Sequence, residues 1–187
     1  HNSLSLEMFD AIVEVGDTLL ESSSIRAVIL RGEGPSFCAG LDLSLMKKVV
    51  DKASGRQTID KLLAVDGEGL SLVQRSAYIW KLLPMPVICA IHGAALGGGC
   101  QIALGADIRV IHPESKVSIM ESRYGLIPDL AITQTLPQLL PQDVAIELTL
   151  SARVLNGKEA VRYGLATMVS DDPNDEARRM ASLIADR

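Results

Sequence analysis

Two short segments of the chain hold residues whose types and spacing could do chemistry together. Ser36-Phe37-Cys38-Ala39-Gly40-Leu41-Asp42-Leu43 follows an apolar run and a Gly/Pro turn, and Gly97-Gly98-Gly99 stands between an apolar run and a helical pattern. Glycine permits backbone angles that other residues resist and leaves no side chain to keep a ligand away. At a helix start, such a run leaves backbone N–H groups unpaired and pointing outward in a positive local field. Two such loops meeting at one pocket would make an oxyanion hole, which holds the charge that builds on a carbonyl oxygen during reaction. Spacing alone equally allows a glycine run that only permits tight packing. A phosphate loop needs Gly-Lys-Ser/Thr after the run, and a dinucleotide site needs Gly-x-Gly-x-x-Gly; the sequence has neither. It also has no Gly-x-Ser-x-Gly nucleophile elbow.

The nearby ionisable and polar residues each admit a plain structural reading. Glu121 is placed to pair with Arg123 or Lys116 on a solvated edge. Asp129 opens Asp-Leu-Ala-Ile and so fits a helix N-cap. Gln101 falls in the first turn of a small-residue helix, Asp107 at a strand start where it would hold loop backbone, and His92 before a glycine as a hydrogen-bonded structural residue. His112 beside Pro113 reads as a surface turn.

The elements that must position these groups are legible from periodicity. Leu6, Phe9, Val13, Gly16 and Leu20 share one helical face, with Glu7 and Asp10 near its positive end. Ala27–Leu30 and Val87–Ile91 read as buried strands, Leu70–Leu83 as a helix stopped by Pro84 and Pro86, and Cys100–Gly105 as a short helix. Asp107–Ile111, Lys116–Met120 and Ala166–Val169 are further strands; Asp143–Ser151, Gly157–Tyr163 and Asp175–Arg187 are helices. Val49–Gly69 reads as a mobile excursion with some helix. Alternating strands and helices predict one α/β domain with a largely parallel core.

Composition narrows the function classes. The 187 residues are 48% hydrophobic and 22% charged, as in an ordinary globular domain rather than a disordered chain. A formal net charge of −5, with only isolated basic pairs, argues against nucleic-acid binding. No apolar stretch is long enough to span a bilayer. Cys38, Cys89 and Cys100 are an odd number in apolar or glycine-rich surroundings, as expected of buried thiols in a reducing compartment, and with the histidines they show no metal-ligand spacing.

Three linked segments carry a resemblance. Phe37-Cys38-Ala39-Gly40-Leu41-Asp42-Leu43, Ile91-His92-Gly93-Ala94-Ala95-Leu96-Gly97-Gly98-Gly99-Cys100 and Ala106-Asp107-Ile108-Arg109 closely resemble the crotonase superfamily, in the same order and at matching separations over essentially all 187 residues. The resemblance implies a spiral of ββα units, a homotrimer or dimer of trimers, and a coenzyme A thioester as substrate, with no separate cofactor and no metal. It implies that the backbone N–H groups of Leu41 and Gly98 hold the thioester oxygen, and that Ala39, Asp42, Leu43 and Gly97 line the substrate path. Hydratases of the family carry a glutamate at the position of Gln101 and a second at that of Glu121; an amide cannot exchange protons but can orient a water. Dienoyl-CoA isomerases of the family carry an aspartate at the position of Asp129, and an aspartate rather than a glutamine at that of Gln101. The resemblance therefore implies double-bond isomerisation by Glu121 assisted by Asp129, with hydration by Glu121 and a Gln101-oriented water as the alternative. A non-catalytic acyl-CoA-binding or assembly protein is a third reading. The expected domain covers 1–187, is truncated at both ends with an incomplete C-terminal helical region, and is cytoplasmic, with an organellar matrix left open.

Overall fold

The computed structural model describes residues 1–51 and 55–187. In chain order the elements are α1 (Leu6–Leu20), β1 (Val28–Arg31), α2 (Leu43–Val50), α3 (Gly55–Leu63), α4 (Leu72–Leu82), β2 (Val87–Ile91), β3 (Ala94–Leu96), α5 (Gly98–Leu104), β4 (Ile108–Ile111), β5 (Lys116–Ser118), a 3-10 turn (Glu121–Tyr124), α6 (Ile132–Thr135), a second 3-10 turn (Leu136–Gln138), α7 (Gln142–Ser151), α8 (Gly157–Tyr163), β6 (Met168–Val169) and α9 (Pro173–Ala185).

The chain winds as a spiral between two sheets. Each turn lays one strand in a four-stranded parallel sheet, order β1-β2-β4-β6, then crosses to a smaller parallel sheet. The smaller sheet pairs β3 with β5 and is extended by single bridges, Cys38 to Ala95, Leu4 to Leu41 and Val117 to Leu155. β2 shows why its sequence is an unbroken apolar run: all five residues are buried, because both faces of the sheet are covered. Val87, Cys89 and Ile91 point into the main core, whereas Ile88 and Ala90 pack with Ala177 of α9 on the other face.

Local signals set the element ends. α1 starts at the Ser5 cap, which accepts from the Met8 N–H at 3.2 Å. α4 carries a capping box, Ser71 with Gln74, and stops where Leu83 turns extended before Pro84. Asp107 accepts from the Val87 N–H at 2.9 Å and pairs with Lys81, so it holds backbone as its position at a strand start predicts. His92 Nε2 bonds Gly34 O at 2.8 Å, joining the end of β2 to the turn after β1.

Some boundaries differ from the sequence reading. β3 was not expected; its three residues become a strand because Cys38 and β5 flank them. α5 begins at Gly98 rather than Cys100, so the glycine run lies inside the helix start. α2 occupies a stretch with no expected helix, and the last strand is confined to Met168–Val169. Of the Val49–Gly69 excursion, residues 52–54 lie outside the described residues and α3 supplies the helix.

Candidate active site

The smaller sheet brings the two glycine-bearing segments together. Cys38 N–H donates to Ala94 O at 2.9 Å and Leu96 N–H donates back to Cys38 O at 3.1 Å. Each segment then leaves its strand through a glycine at positive φ: Gly40 at +92° and Gly97 at +53°. That backbone turn is open to glycine and strained for other residues. The next residue in each case is the predicted donor, Leu41 or Gly98. Among the described residues, neither of these two N–H groups has a hydrogen-bond partner. The side chain of Leu41 contributes nothing polar, consistent with a main-chain role.

Two cavities meet at these amides. An outer one of about 470 Å³ is lined by Ser3, Ala39, Asp42, Leu43, Met46 and Gly97, among others. An inner one of about 250 Å³ is lined by Phe9, Ile59, Leu62, Val73, Leu130 and Asp129, among others. Leu41, Gly98, Glu121 and Leu126 line both and form the waist between them. Every predicted site residue except Gln101 therefore faces one cavity or the other. Asp42 has a second occupation: its carboxylate accepts from Ser44 Oγ at 2.5 Å and Ser3 Oγ at 2.8 Å, and caps α2 through the Ser44 N–H at 2.8 Å. Those bonds hold it well below the usual carboxylate range, at about 2. It thus shapes the outer wall as a fixed, hydrogen-bonded anion.

Glu121 opens the 3-10 turn just after β5 and points at the waist. Its Oε1 accepts from Gln101 Nε2 at 2.6 Å, while its Oε2 is buried without a partner among the described residues. Burial pushes its pKa above the ordinary 4.5; the Gln101 bond pulls the other way and the nearby Asp129 charge adds to the rise. Partial burial against the apolar wall also raises Asp129, although the residue as a whole stands exposed. Neither plain reading of these two carboxylates is realised. Among the described residues Glu121 has no ion pair with Arg123 or Lys116. α6 starts at Ile132 from an Ala131 cap that makes no side-chain bond, so Asp129 does not cap it.

Gln101 is fully buried and lines neither cavity. Its Nε2 faces Glu121, and its Oε1 accepts from the Leu130 N–H at 3.0 Å. It ties the turn that carries Glu121 to the loop that carries Asp129, which is a positioning role. The three cysteines are buried, and burial raises their thiols, so none is a ready nucleophile. Val49–Gly69 is expected to shape part of the acyl pocket and supplies Ile59 and Leu62. The sequence does not single out the individual wall residues, since Phe9, Ile59, Leu62 and Val73 are ordinary apolar positions on three separate helices. Their convergence is a tertiary fact without a local signal.

The chain matches known proteins along its length. The family described as Enoyl-CoA hydratase/isomerase matches residues 1–187. The chain is 37% identical over 183 residues to the Homo sapiens mitochondrial methylglutaconyl-CoA hydratase, covering 96% of this chain and 50% of that protein. It is 30% identical over 168 residues to the Arabidopsis thaliana peroxisomal Delta(3,5)-Delta(2,4)-dienoyl-CoA isomerase, covering 90% of this chain and 60% of that protein. A Thermobifida fusca protein crystallised in complex with CoA superposes with a TM-score of 0.80 at 30% identity, covering 97% of this chain and 68% of that one. The chain thus spans about half the length of the human relative. Matched by the family along its whole length and sharing the spiral of solved relatives, the chain belongs to the enoyl-CoA hydratase/isomerase family of the crotonase superfamily.

Proposed function

We propose that the protein is an enzyme that shifts double bonds in an enoyl-CoA thioester, as in conversion of a 3,5-dienoyl to a 2,4-dienoyl group. One observation carries this reading: Glu121 and Asp129, both with raised pKa, are the ionisable groups lining the apolar inner cavity among the described residues. The thioester oxygen accepts from the Leu41 and Gly98 N–H groups at the waist. The coenzyme A chain leaves through the outer cavity, past Ala39 and Leu43, and the acyl group enters the inner one. Coenzyme A is part of the substrate, and trimeric or paired-trimer assembly belongs to the same proposal.

Ionised Glu121, beside the waist, takes a proton from C2, and the electron pair spreads onto the thioester oxygen as a dienolate. The two amide donors hold that charge; loss of one such donor costs ~100- to 1,000-fold in rate. Asp129 in its protonated form, on the wall of the inner cavity, returns a proton at C6, leaving double bonds at C2 and C4. Glu121 ends protonated and Asp129 ionised, and solvent at the exposed Asp129 resets the pair. Carboxyls poised above their ordinary range suit this exchange.

Identity to a hydratase supports a second reading, in which the unpaired Oε2 of Glu121 activates water for addition to a 2-enoyl thioester. Ultraviolet absorbance of the full-length protein with each substrate separates the two. Growth of a long-wavelength 2,4-dienoyl band from a 3,5-dienoyl-CoA is the expected result. Loss of the 2-enoyl band without dienoyl isomerisation would overturn the isomerase reading in favour of hydration.

The Gln101 clamp gives a further prediction. Gln101→Leu removes a hydrogen bond to a charged group, and kcat is expected to fall ~10- to 100-fold. Because that bond favours the ionised form of Glu121, its loss moves the acidic limb of the kcat–pH profile to higher pH. The unpaired Leu130 N–H should also cost ~1–3 kcal/mol of stability, readable by denaturant titration. An unmoved acidic limb would mean that Gln101 does not act through Glu121.

A further inference from the structure

The inner cavity carries charge of one sign only. Its wall is built from Phe9 of α1, Ile59 and Leu62 of α3, Val73 of α4, and Leu130. Among the described residues, its ionisable lining groups are Glu121 and Asp129, and no Lys, Arg or His joins them. Lys61 and Arg75, on two of the wall-forming helices, are committed elsewhere. Lys61 of α3 pairs with Asp10 at 2.8 Å, and Arg75 of α4 is held by Asp17, Asp66 and Glu68. At its open end the cavity continues as an apolar rim, where Ile59 is 36% and Ile127 is 83% exposed.

We infer that this site selects acyl groups whose distal end is uncharged hydrocarbon and rejects acyl groups that end in a carboxylate. The inference rests on the proposed placement of the acyl group of a CoA thioester in the inner cavity. A distal carboxylate there would lose its hydration with no lining cation beside it among the described residues, and the free Leu41 and Gly98 N–H groups are taken by the thioester oxygen. It would also face the Glu121 and Asp129 carboxylates, and like charges in one site disfavour ionisation of each other. A hydrocarbon end meets none of these costs. Each methylene buried against the wall is instead worth about a fourfold gain in affinity.

The test is calorimetric titration of the full-length protein with saturated thioesters, which have no double bond to move and so report binding alone. Butanoyl-, hexanoyl-, glutaryl- and 5-methylhexanoyl-CoA serve as probes, the last being the uncharged isostere of glutaryl-CoA. Hexanoyl-CoA is expected to bind about 15-fold more tightly than butanoyl-CoA, two methylenes at the stated gain each. Glutaryl-CoA is expected to bind on the order of 100-fold more weakly than 5-methylhexanoyl-CoA. Glutaryl-CoA binding within about threefold of its isostere would overturn the inference and leave the thioester reading intact. Failure of all four to bind would overturn that reading and the inference with it.

Discussion

Glu121→Gln in the full-length protein is expected to lose on the order of 100- to 10,000-fold in kcat while its fold becomes more stable. The loss follows from removing the group that accepts the C2 proton, because an amide cannot take that proton at neutral pH. The gain follows from the geometry of the wild-type carboxylate. Among the described residues its Oε2 is buried without a partner, and Gln101 bonds the other oxygen. Replacing this strained anion by a neutral amide of equal size keeps the bond from Gln101 Nε2 and removes the desolvated charge. Such functional-site replacements commonly return ~0.5–2 kcal/mol, or ~2–4 °C in Tm per kcal/mol for a domain of this size.

The pH dependence fixes the sign. Burial raises the folded-state pKa of Glu121 above its ordinary 4.5, so the folded chain keeps the proton to higher pH than the unfolded chain does. The cost of the bare charge is therefore absent below about 4.5 and complete once pH exceeds the folded value. The stability difference between variant and wild type should open as pH rises through that window and close as it falls. Wild-type activity should follow the same group, falling as pH drops through its raised pKa. A variant destabilised equally at all pH values would show that Glu121 is a structural anion rather than a poised base.

What the sequence revealed and what it hid divide along the range of the interactions involved. β2 and α8 match their expected bounds because their signals are local: an unbroken apolar run after Pro86, and a helix opened by the Asn156 and Glu159 capping box. β3 was hidden because Ala94-Ala95-Leu96 has neither strand composition nor room for alternation; its pairing is imposed by neighbours distant in sequence. α2 carries little local signal beyond Asp42, a cap of the expected type that also sits on the implied substrate path. At the site, the main-chain donors were legible through the resemblance, and their preceding glycines explain them physically. Gln101 was legible as a residue and not as a clamp, because its second partner is the main-chain N–H of Leu130, which no side-chain pattern announces.

Gly97→Ala tests whether the turned backbone itself is catalytic machinery. Gly97 sits at φ +53° and ψ −123°, and its backbone is pinned on both sides: its N–H donates to Ser118 O at 2.9 Å, and its O accepts from Gln101 N–H at 3.0 Å. An added Cβ would lie 3.2 Å from Glu121 Oε1. Alanine must either hold a backbone conformation that costs ~1–3 kcal/mol or relax it, and relaxation swings the Gly98 N–H away from the waist. The expected result is a ~100- to 1,000-fold fall in kcat, the size of one lost oxyanion donor, together with that loss of stability. Backbone strain alone could mimic the second effect, and Gly34→Ala supplies the comparison. Gly34 has φ +76°, nothing lies within 4 Å of its added Cβ, and it lines neither cavity. Gly34→Ala should therefore lose stability by a similar mechanism while kcat stays at the wild-type level. If both variants lose the same activity in proportion to their stability, the Gly98 amide is not a donor to the reacting oxygen. If only Gly97→Ala loses it, the turned backbone at Gly97 and the room it leaves beside Glu121 are part of the catalytic machinery.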